Sequence, residues 1–555
     1  MIAKNKSSLL LTLGAAGLLI SGGVIAYWIL TQRSELPEAL PVGANVIPQN
    51  ALLTISVSTE PAQWQHLREF GTKTTQAELD RELVQLRDRF LTSNGYNYQQ
   101  DIQPWVGKEV TLAFLPQPNP PTPNAAPPPM VMVLPIANPV RAKQLLENPK
   151  PLKQSKWIER TYKGVQIEQS QGLPDANYSA TVLDGRFLVL ADNPKTTEQA
   201  IDTYKGGASI AATPGYTQAL GKIQASQPFA QLYLNIPAAA KFAAMNSGQT
   251  VFPQMTQIQD NQGLATTMTL ESEGIGFKSI SWLQPNSSQK HVVENKAGKM
   301  ASRLPADTLT MLSGGDLQQL WQDYVLSSSS NPGVPTSPDN LRAGLNSLTG
   351  LDLDRNLLSW MGGEFSLSLI PSAPKAGDSD NFALALGLMV QTSDRSQAEK
   401  TFQQLDQIMS SRYQFQVQKT QVAGQPVVNW TAPYGTLTAT HGWLDGDVAF
   451  LTVGAPVTDQ IVPKPGTSLA STGQFQKTVP SAPSPNNGQI FLDVERLLKT
   501  FPLPQLSLEQ QTFVEAIRSI GITTAVDDER TILYNMFVSL KKVNEPEPLP
   551  SPRMP

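Results

Sequence analysis

Gly95 … Trp105-Val106-Gly107-Lys108-Glu109 … Pro116 returns as Gly350 … Trp360-Met361-Gly362-Gly363-Glu364 … Pro371, with every spacing kept. Upstream, Pro48 stands as far before Trp64 as Pro305 stands before Trp321. Self-similarity at a nearly fixed offset describes architecture before any local reading does. Working outward, Leu183-Asp184-Gly185 matches Leu444-Asp445-Gly446, and Gln231 to Asn235 matches Gln489 to Asp493. Gly263-Leu264 matches Gly521-Ile522, so order is preserved along the whole length. The expected fold is therefore α+β: two tandem copies of one sheet-rich domain with antiparallel hairpins and packed helices, after an N-terminal transmembrane helix.

The division that follows is a cytoplasmic tail 1–8, a transmembrane helix 9–30, a linker 31–43, and a first domain 44–284. A polar linker 285–299, a second domain 300–541 and a disordered proline-rich tail 542–555 complete it. Leu9 to Leu30 carries no charge and follows Lys4 and Lys6. As a helix it rises about 33 Å, enough to cross a hydrocarbon core of about 30 Å. Val24-Ile25-Ala26 offers a signal-peptide cleavage site as the rival, but the apolar run is longer than a signal core. Tyr27 and Trp28 suit an interfacial belt, and the two lysines place the N-terminus in the cytoplasm. The bulk of the chain is then expected in the periplasm or a thylakoid lumen, single-pass anchored.

Hydrophobic periodicity fills in each domain. Leu79, Leu83, Leu86 and Phe90 repeat as one helical face, as do Ala398, Phe402, Leu405 and Met409. Ser507 with Gln510 reads as a capping box for a helix through Phe513, Val514, Ile517 and Ile520, stopped at Gly521. Val110–Leu115 with Met130–Leu134, and Phe365–Ile370 with Phe382–Val390, read as hairpins with unusually long tips. Leu183–Leu190, Gln231–Asn235, Met268–Leu283 and Thr531–Leu540 are further alternating segments.

Composition limits the chemistry. With no cysteine, disulfides, thiolate zinc sites, a cysteine nucleophile and a lipoprotein anchor are excluded. A net charge of -4 and the absence of a basic stripe give no footprint for nucleic acid. His66, His291 and His441 lie far apart, lack counterparts between the copies, and read as solvated or structurally satisfied. Asp352-x-Asp354-x-Asn356 opens like a calcium loop, but Leu357 and Gly363 stand where Gly and Glu are required, so a turn and cap is expected. Ser287-x-x-Lys290 before Ser379-Asp380-Asn381 mimics the serine acyl-enzymes, yet Ser287 lies in the polar linker and Lys-Thr-Gly is missing.

The repeated block itself reads as a packing corner. Bulky Trp105 or Trp360 is followed by Gly107 or Gly362 and then a strand near Glu109 or Glu364, with Gly95 and Gly350 opening the block. No catalytic, cofactor or metal residue is assigned.

The segments Leu-Pro-Ala-Asp-Thr-Leu (304–309), Trp-Met-Gly-Gly-Glu (360–364), Trp-Leu-Asp-Gly (443–446) and Gly-Gln-Ile-Phe-Leu-Asp (488–493) resemble the bacterial family catalogued as domain of unknown function 3352. The resemblance implies an N-terminal membrane segment and a large exported part; it carries no activity. Trp-Val-Gly-Lys-Glu at 105–109 departs from the second copy at the residue before Glu. The expected function is a non-enzymatic, membrane-anchored scaffold or binding protein with a protein or lipid partner. A carrier for an apolar ligand is the alternative, and an enzyme with an unrecognised site ranks third. Alkaline carbonate washing of native membranes should leave the full-length chain in the pellet; release into the wash would overturn the anchor.

Overall fold

The computed structural model describes residues 40–543 except 91, 93–94, 118–127, 148–155, 172–177, 247–259, 330–336, 373–382, 434–436 and 501–506, and in addition 546 and 549. The expected transmembrane helix 9–30 and most of both hairpin tips lie outside the described residues. No helix among the described residues is long and apolar enough to cross a membrane. The chain is a sheet-rich α+β protein, and it divides into two compact units. Unit 1 comprises residues up to Gln289 together with Lys541 onward; unit 2 is Lys290–Leu540.

Unit 1 has ten strands: β1 (Leu53–Ser58), β2 (Glu109–Phe114), β3 (Met130–Pro135), β4 (Lys156–Tyr162), β5 (Val165–Gln171), β6 (Ser179–Leu183), β7 (Phe187–Ala191), β8 (Ala230–Asn235), β9 (Asn261–Glu271) and β10 (Gly274–Leu283). All pair antiparallel in the order β4-β5-β6-β7-β3-β2-β1-β8-β9-β10. Unit 2 has β11 (Thr310–Gly314), β12 (Phe365–Pro371), β13 (Leu384–Gln391), β14 (Gln416–Val422), β15 (Gln425–Thr431), β16 (Thr438–Leu444), β17 (Val448–Gly454), β18 (Gly488–Leu492), β19 (Ile517–Asp528) and β20 (Thr531–Leu540). Its antiparallel order is β14-β15-β16-β17-β13-β12-β11-β18-β19-β20, the same sequence of connections.

Alternation along these strands gives each sheet two faces to bury. In unit 2, Met311, Ile370, Met389, Phe450 and Phe491 pack under Leu304, Ile461, Leu469 and Phe475 from short helices and loops. On the opposite face Phe365, Val390 and Ala449 pack under Trp360 and under Phe402 and Leu405 of the helix Arg395–Ser411. In unit 1 the helix Lys73–Phe90 puts Leu83 fully inside, in keeping with the helical spacing read from sequence.

Several expectations are corrected. The capping box at Ser507 and Gln510 exists, but its helix ends at Ala516, and Ile517, Ile520 and Gly521 belong to β19. Ile517 to Val526 is dense in β-branched residues, and pairing with β18 and β20 outweighs the helical spacing. Leu183–Leu190 is not one strand but two, β6 and β7, because Asp184 and Gly185 adopt positive φ and turn the chain. Met268–Leu283 is likewise the close of β9 and all of β10. Register moves one proposed match by two residues: Gly521 pairs with Phe491, whereas Tyr233 pairs with Ala265 rather than Gly263. The polar stretch after Gln289 is tied down in unit 2, with Asn295 exchanging bonds with Val526 and Ala297 bridging Asn486. Lys542, at the start of the tail, bridges Phe70.

Gly521 approaches the chain closely: a Cβ there would lie 2.2 Å from the Thr478 carbonyl oxygen. Gly521→Ala should therefore cost at least about 1–3 kcal/mol, read as an earlier urea midpoint for the transition that unfolds unit 2.

Candidate functional site

The repeated block forms one corner in each unit, and its groups are engaged locally. In unit 1, Asn97 Oδ1 accepts the Gln100 N–H, the Asp101 carboxylate accepts the Asn97 N–H, and Trp105 Nε1 donates to the Asp101 carbonyl at 2.7 Å. In unit 2, Asp352 Oδ1 accepts from Arg355, Asn356 Oδ1 from Asp352, and Trp360 Nε1 donates to the Asn356 carbonyl at 3.1 Å. Both indoles are buried. Gly95 and Gly350 take positive φ, and Gly350 ends the helix Pro338–Thr349 in the left-handed conformation that spares a Cβ. A Cβ on Gly107 would press into the Pro135 ring at 2.7 Å.

The glutamates close each corner over a strap of irregular chain. Glu109, heading β2, accepts the Val42 N–H at 3.2 Å, while Thr111 donates to the Val42 carbonyl at 2.6 Å and shares a 2.7 Å hydrogen bond with Ser56. Glu364, immediately before β12, accepts the N–H groups of Gly298, Lys299 and Met300 at 2.8, 2.6 and 3.1 Å, all on Oε1. Sequence reasoning named both glutamates but not the straps. The matching Pro48 and Pro305, which bridge Ser209 and Ser468 just beyond the straps, were the available signal.

The residues around the two corners differ in charge. Burial pushes the Glu109 carboxyl up to about 7, against the lowering effect of Val42 and Ser56. Burial also raises the neighbouring Tyr216 hydroxyl, with Tyr233 and Glu109 adding to the effect, and lifts Tyr233 to about 12. Among the described residues neither hydroxyl meets a partner at hydrogen-bond geometry, although Tyr216 lies beside Thr54 and Tyr233 beside Thr213 and Gln262. At the unit 2 corner a recess of about 220 Å³ opens, lined by Lys296, Lys299, Asp316, Gly362, Gly363 and Glu364. Glu294, also on its wall, holds Lys296 at 2.7 Å and raises its affinity for the proton.

The other candidates resolve individually. His441 lies within β16, buried, stacked 4.4 Å from Phe402, with Nε2 2.9 Å from Asp406. Asp406 also accepts from Trp430, a side-chain cluster the sequence did not reveal because its members are far apart in the chain. Burial lowers the His291 imidazole, and its Nε2 has no partner among the described residues. His66 sits on the helix Pro61–Arg68 beside Phe70. Asp354 is held by Arg342 and Trp321, the former keeping its carboxyl below the usual range. Ser287 accepts from Gln289 and Lys290 pairs with Glu529, while Ser379-Asp380-Asn381 lies outside the described residues.

One apolar feature crosses the unit 2 sheet. Leu451, Leu388, Leu367, Leu312, Ile490, Ile522 and Met536 are successive cross-strand partners. Leu312 and Leu367 are 39% and 37% exposed. At the same sheet positions of unit 1, Ile55 and Leu112 are 4% and 5% exposed. A separate apolar cavity beside Trp360 and Phe402 holds only about 40 Å³.

Antiparallel sheets with helices and irregular straps on their faces define an α+β protein whose repeated glutamates serve as backbone acceptors. The chain belongs to the family described as "Protein of unknown function (DUF3352)", whose sequence model matches residues 12–540. No curated protein matches. Solved structures of TP0453 are similar over about half of this chain. Crystal form III has 10% identity and a TM-score of 0.25, covering 47% of this chain and 91% of that one. Crystal form IV has 11% identity at the same score, covering 46% and 88%. A likeness of that size transfers nothing to this chain.

Glu109 carries a pH dependence. Its folded carboxyl keeps a proton up to about 7, whereas the unfolded one releases it near 4.5, so between these values the folded state binds more protons. Its stabilising contribution is fully present below about 4.5 and is lost as pH rises through about 7. Urea titrations of the full chain should show unit 1 losing up to about 3 kcal/mol across that window, and Glu109→Gln should flatten the dependence.

Proposed function

We propose that this chain is a membrane-anchored, extracytoplasmic scaffold or binding protein, without catalytic activity, built from two tandem copies of one sheet domain. The tandem reading is supported by the identical strand orders of the two units and by the paired corners at Trp105 and Trp360. The observation that carries the functional reading is how the repeated groups are used. Both indoles bond to backbone carbonyls, and both glutamates accept backbone N–H groups from a strap. What the duplication preserves is therefore a device for holding chain in place. The anchor rests on the apolar segment 9–30 and its flanking lysines.

The carrier reading has one observation in its favour, the exposed aliphatic row through Leu312 and Leu367. Against it, the cavity beside Trp360 is far smaller than the roughly 300–1,000 Å³ of ordinary ligand sites.

Photo-crosslinking in native membranes, with probes at exposed positions of both units, distinguishes the two. Recovery of a reproducible protein partner supports the scaffold. Labelling of lipid alone, concentrated at Leu312 and Leu367, would replace it with the carrier.

A further inference from the structure

We propose that His291 is an acid-released latch: its neutral ring fastens the chain entering unit 2 to the turn between β19 and β20, and protonation lets that chain go. This goes beyond the scaffold reading and stands or falls separately from it.

The chain from Lys290 to Met300 is held to the rest of unit 2 at successive points. The His291 N–H donates to the Glu529 carbonyl at 2.8 Å, and the Lys290 ammonium meets the Glu529 carboxylate at 2.5 Å. Asn295 then exchanges bonds with Val526, Ala297 donates to the Asn486 carbonyl, and Gly298, Lys299 and Met300 donate to Glu364. Of these points the first has the least support from its neighbours. Lys290 and Glu529 are both largely exposed, which leaves their pairing little net worth. Val292 and Val293 are 54% and 51% exposed, so apolar burial between His291 and Asn295 adds little. His291 is the one residue of 288–294 that is not exposed, and its Nε2 is shut off from solvent. The ring is therefore the group that ties this stretch down.

Charge makes that tie sensitive to acid. Imidazole is the side chain whose ordinary range falls between about pH 5 and 8, and burial lowers the proton affinity of His291 from its ordinary 6.5. Asp323, on the helix Leu317–Ser329, and Asp528, at the end of β19, pull the other way, while Arg530 beside β20 adds to the lowering. Glu529 is engaged by Lys290, and Glu294 by Lys296. Asp323 and Asp528 are exposed, whereas Nε2 is not. The neutral ring thus belongs inside, and the acids that attract a charged ring stand at the surface. An imidazolium carries a proton on both nitrogens, and Nε2 meets no acceptor among the described residues. Kept in place, the charged ring would bury an unpaired donor, so it gains by moving outward.

The latched state favours the neutral form, which sets the direction of the response. The latch holds in full above about 6.5 and is lost as pH falls below that value through the lowered one of the folded state. One proton is linked to release, so within that window opening becomes up to about tenfold easier per pH unit. The amide of Asn295 and the backbone of Ala297 carry no proton to gain there, and they keep the following chain in place. Release therefore frees residues 290–294 and stops at Asn295.

The test follows the full-length, detergent-purified chain by hydrogen exchange and by NMR of ring-labelled histidine. Exchange at residues 290–294, corrected for the intrinsic effect of pH, should rise up to about tenfold per pH unit below about 6.5, while residues 295–300 stay protected. The chain has three histidines, so loss of one signal in His291→Gln assigns the ring, which should titrate below 6.5. His291→Phe keeps an aromatic ring with no proton to gain and should leave exchange independent of pH, as should His291→Gln. Asp323→Asn keeps an acceptor for Gln319 but withdraws a charge that favours the imidazolium, so the rise should move to lower pH. If His291→Phe fails to fold, His291→Gln and Asp323→Asn decide. Titration at or above 6.5, exchange unaltered by pH, a response that persists without the imidazole, or an unmoved transition in Asp323→Asn would overturn the proposal. None of these results bears on whether the chain scaffolds a protein partner.

Discussion

A carboxylate at the head of a central strand, accepting the backbone of a strap that crosses the sheet, is the interaction on which the rest is arranged. In unit 2 the strap runs into the short 3-10 helix Met300–Ser302, and the N–H groups at a helix start have no partner within the helix; leaving them bare beneath the core would cost about 1–3 kcal/mol each. Glu364 meets three of them with a single oxygen. This fixes the chain that leads into Met300, Ala301 and Leu304, which are buried against Met311 and Phe491. The indole of Trp360 bonds the turn before it, and the glycines between Trp and Glu let the chain come close enough for both contacts. A change at any of these positions therefore reaches the packing of a whole sheet face.

In unit 1 the same device works with fewer bonds. Glu109 has a single strap N–H, and Thr111 supplies the complementary contact to the Val42 carbonyl. With less hydrogen bonding to offset desolvation, the carboxyl is driven toward its neutral form. Tyr216 and Tyr233, their rings 4.6 Å apart, stand buried in the same region. The corresponding face of unit 2 has Phe491 at the Tyr233 position and places that ring in an apolar cluster. The two units thus share a frame while differing at this position, a buried hydroxyl in one and a phenyl ring in the other.

How far the sequence could be read follows from the range of each interaction. The hairpins β2–β3 and β12–β13, the helix bearing Phe402 and Leu405, and the cap at Ser507 rest on local spacing and were legible. The helix expected to run to Gly521 failed because β19 gains partners on both sides, which no local window contains. The strap contacts join residues far apart, such as Val42 with Glu109 and Lys299 with Glu364, and only the paired prolines hinted at them. His441 could be read as structurally satisfied but not placed, since Asp406, Phe402 and Trp430 converge on it from separate elements. At the recess, Glu364 and Gly363 were visible in the repeat, whereas Asp316 and Lys299 become its neighbours only through folding.

The repeat is most informative where its copies part company. Positions held in common, the Trp, the Gly and the Glu, serve the frame, so their recurrence speaks for stability rather than chemistry. Two departures fall together in unit 2: aliphatic residues exposed at Leu312 and Leu367 where Ile55 and Leu112 are covered, and Gly363 and Asp316 at the corner where Lys108 and Thr59 stand in unit 1. Neither departure improves the packing of the frame, since a leucine left partly exposed forgoes a fraction of the roughly 1.5–3 kcal/mol that full burial is worth, and a second carboxylate near Glu364 adds like-charge repulsion. The two units therefore share one frame and part at this face and at this corner.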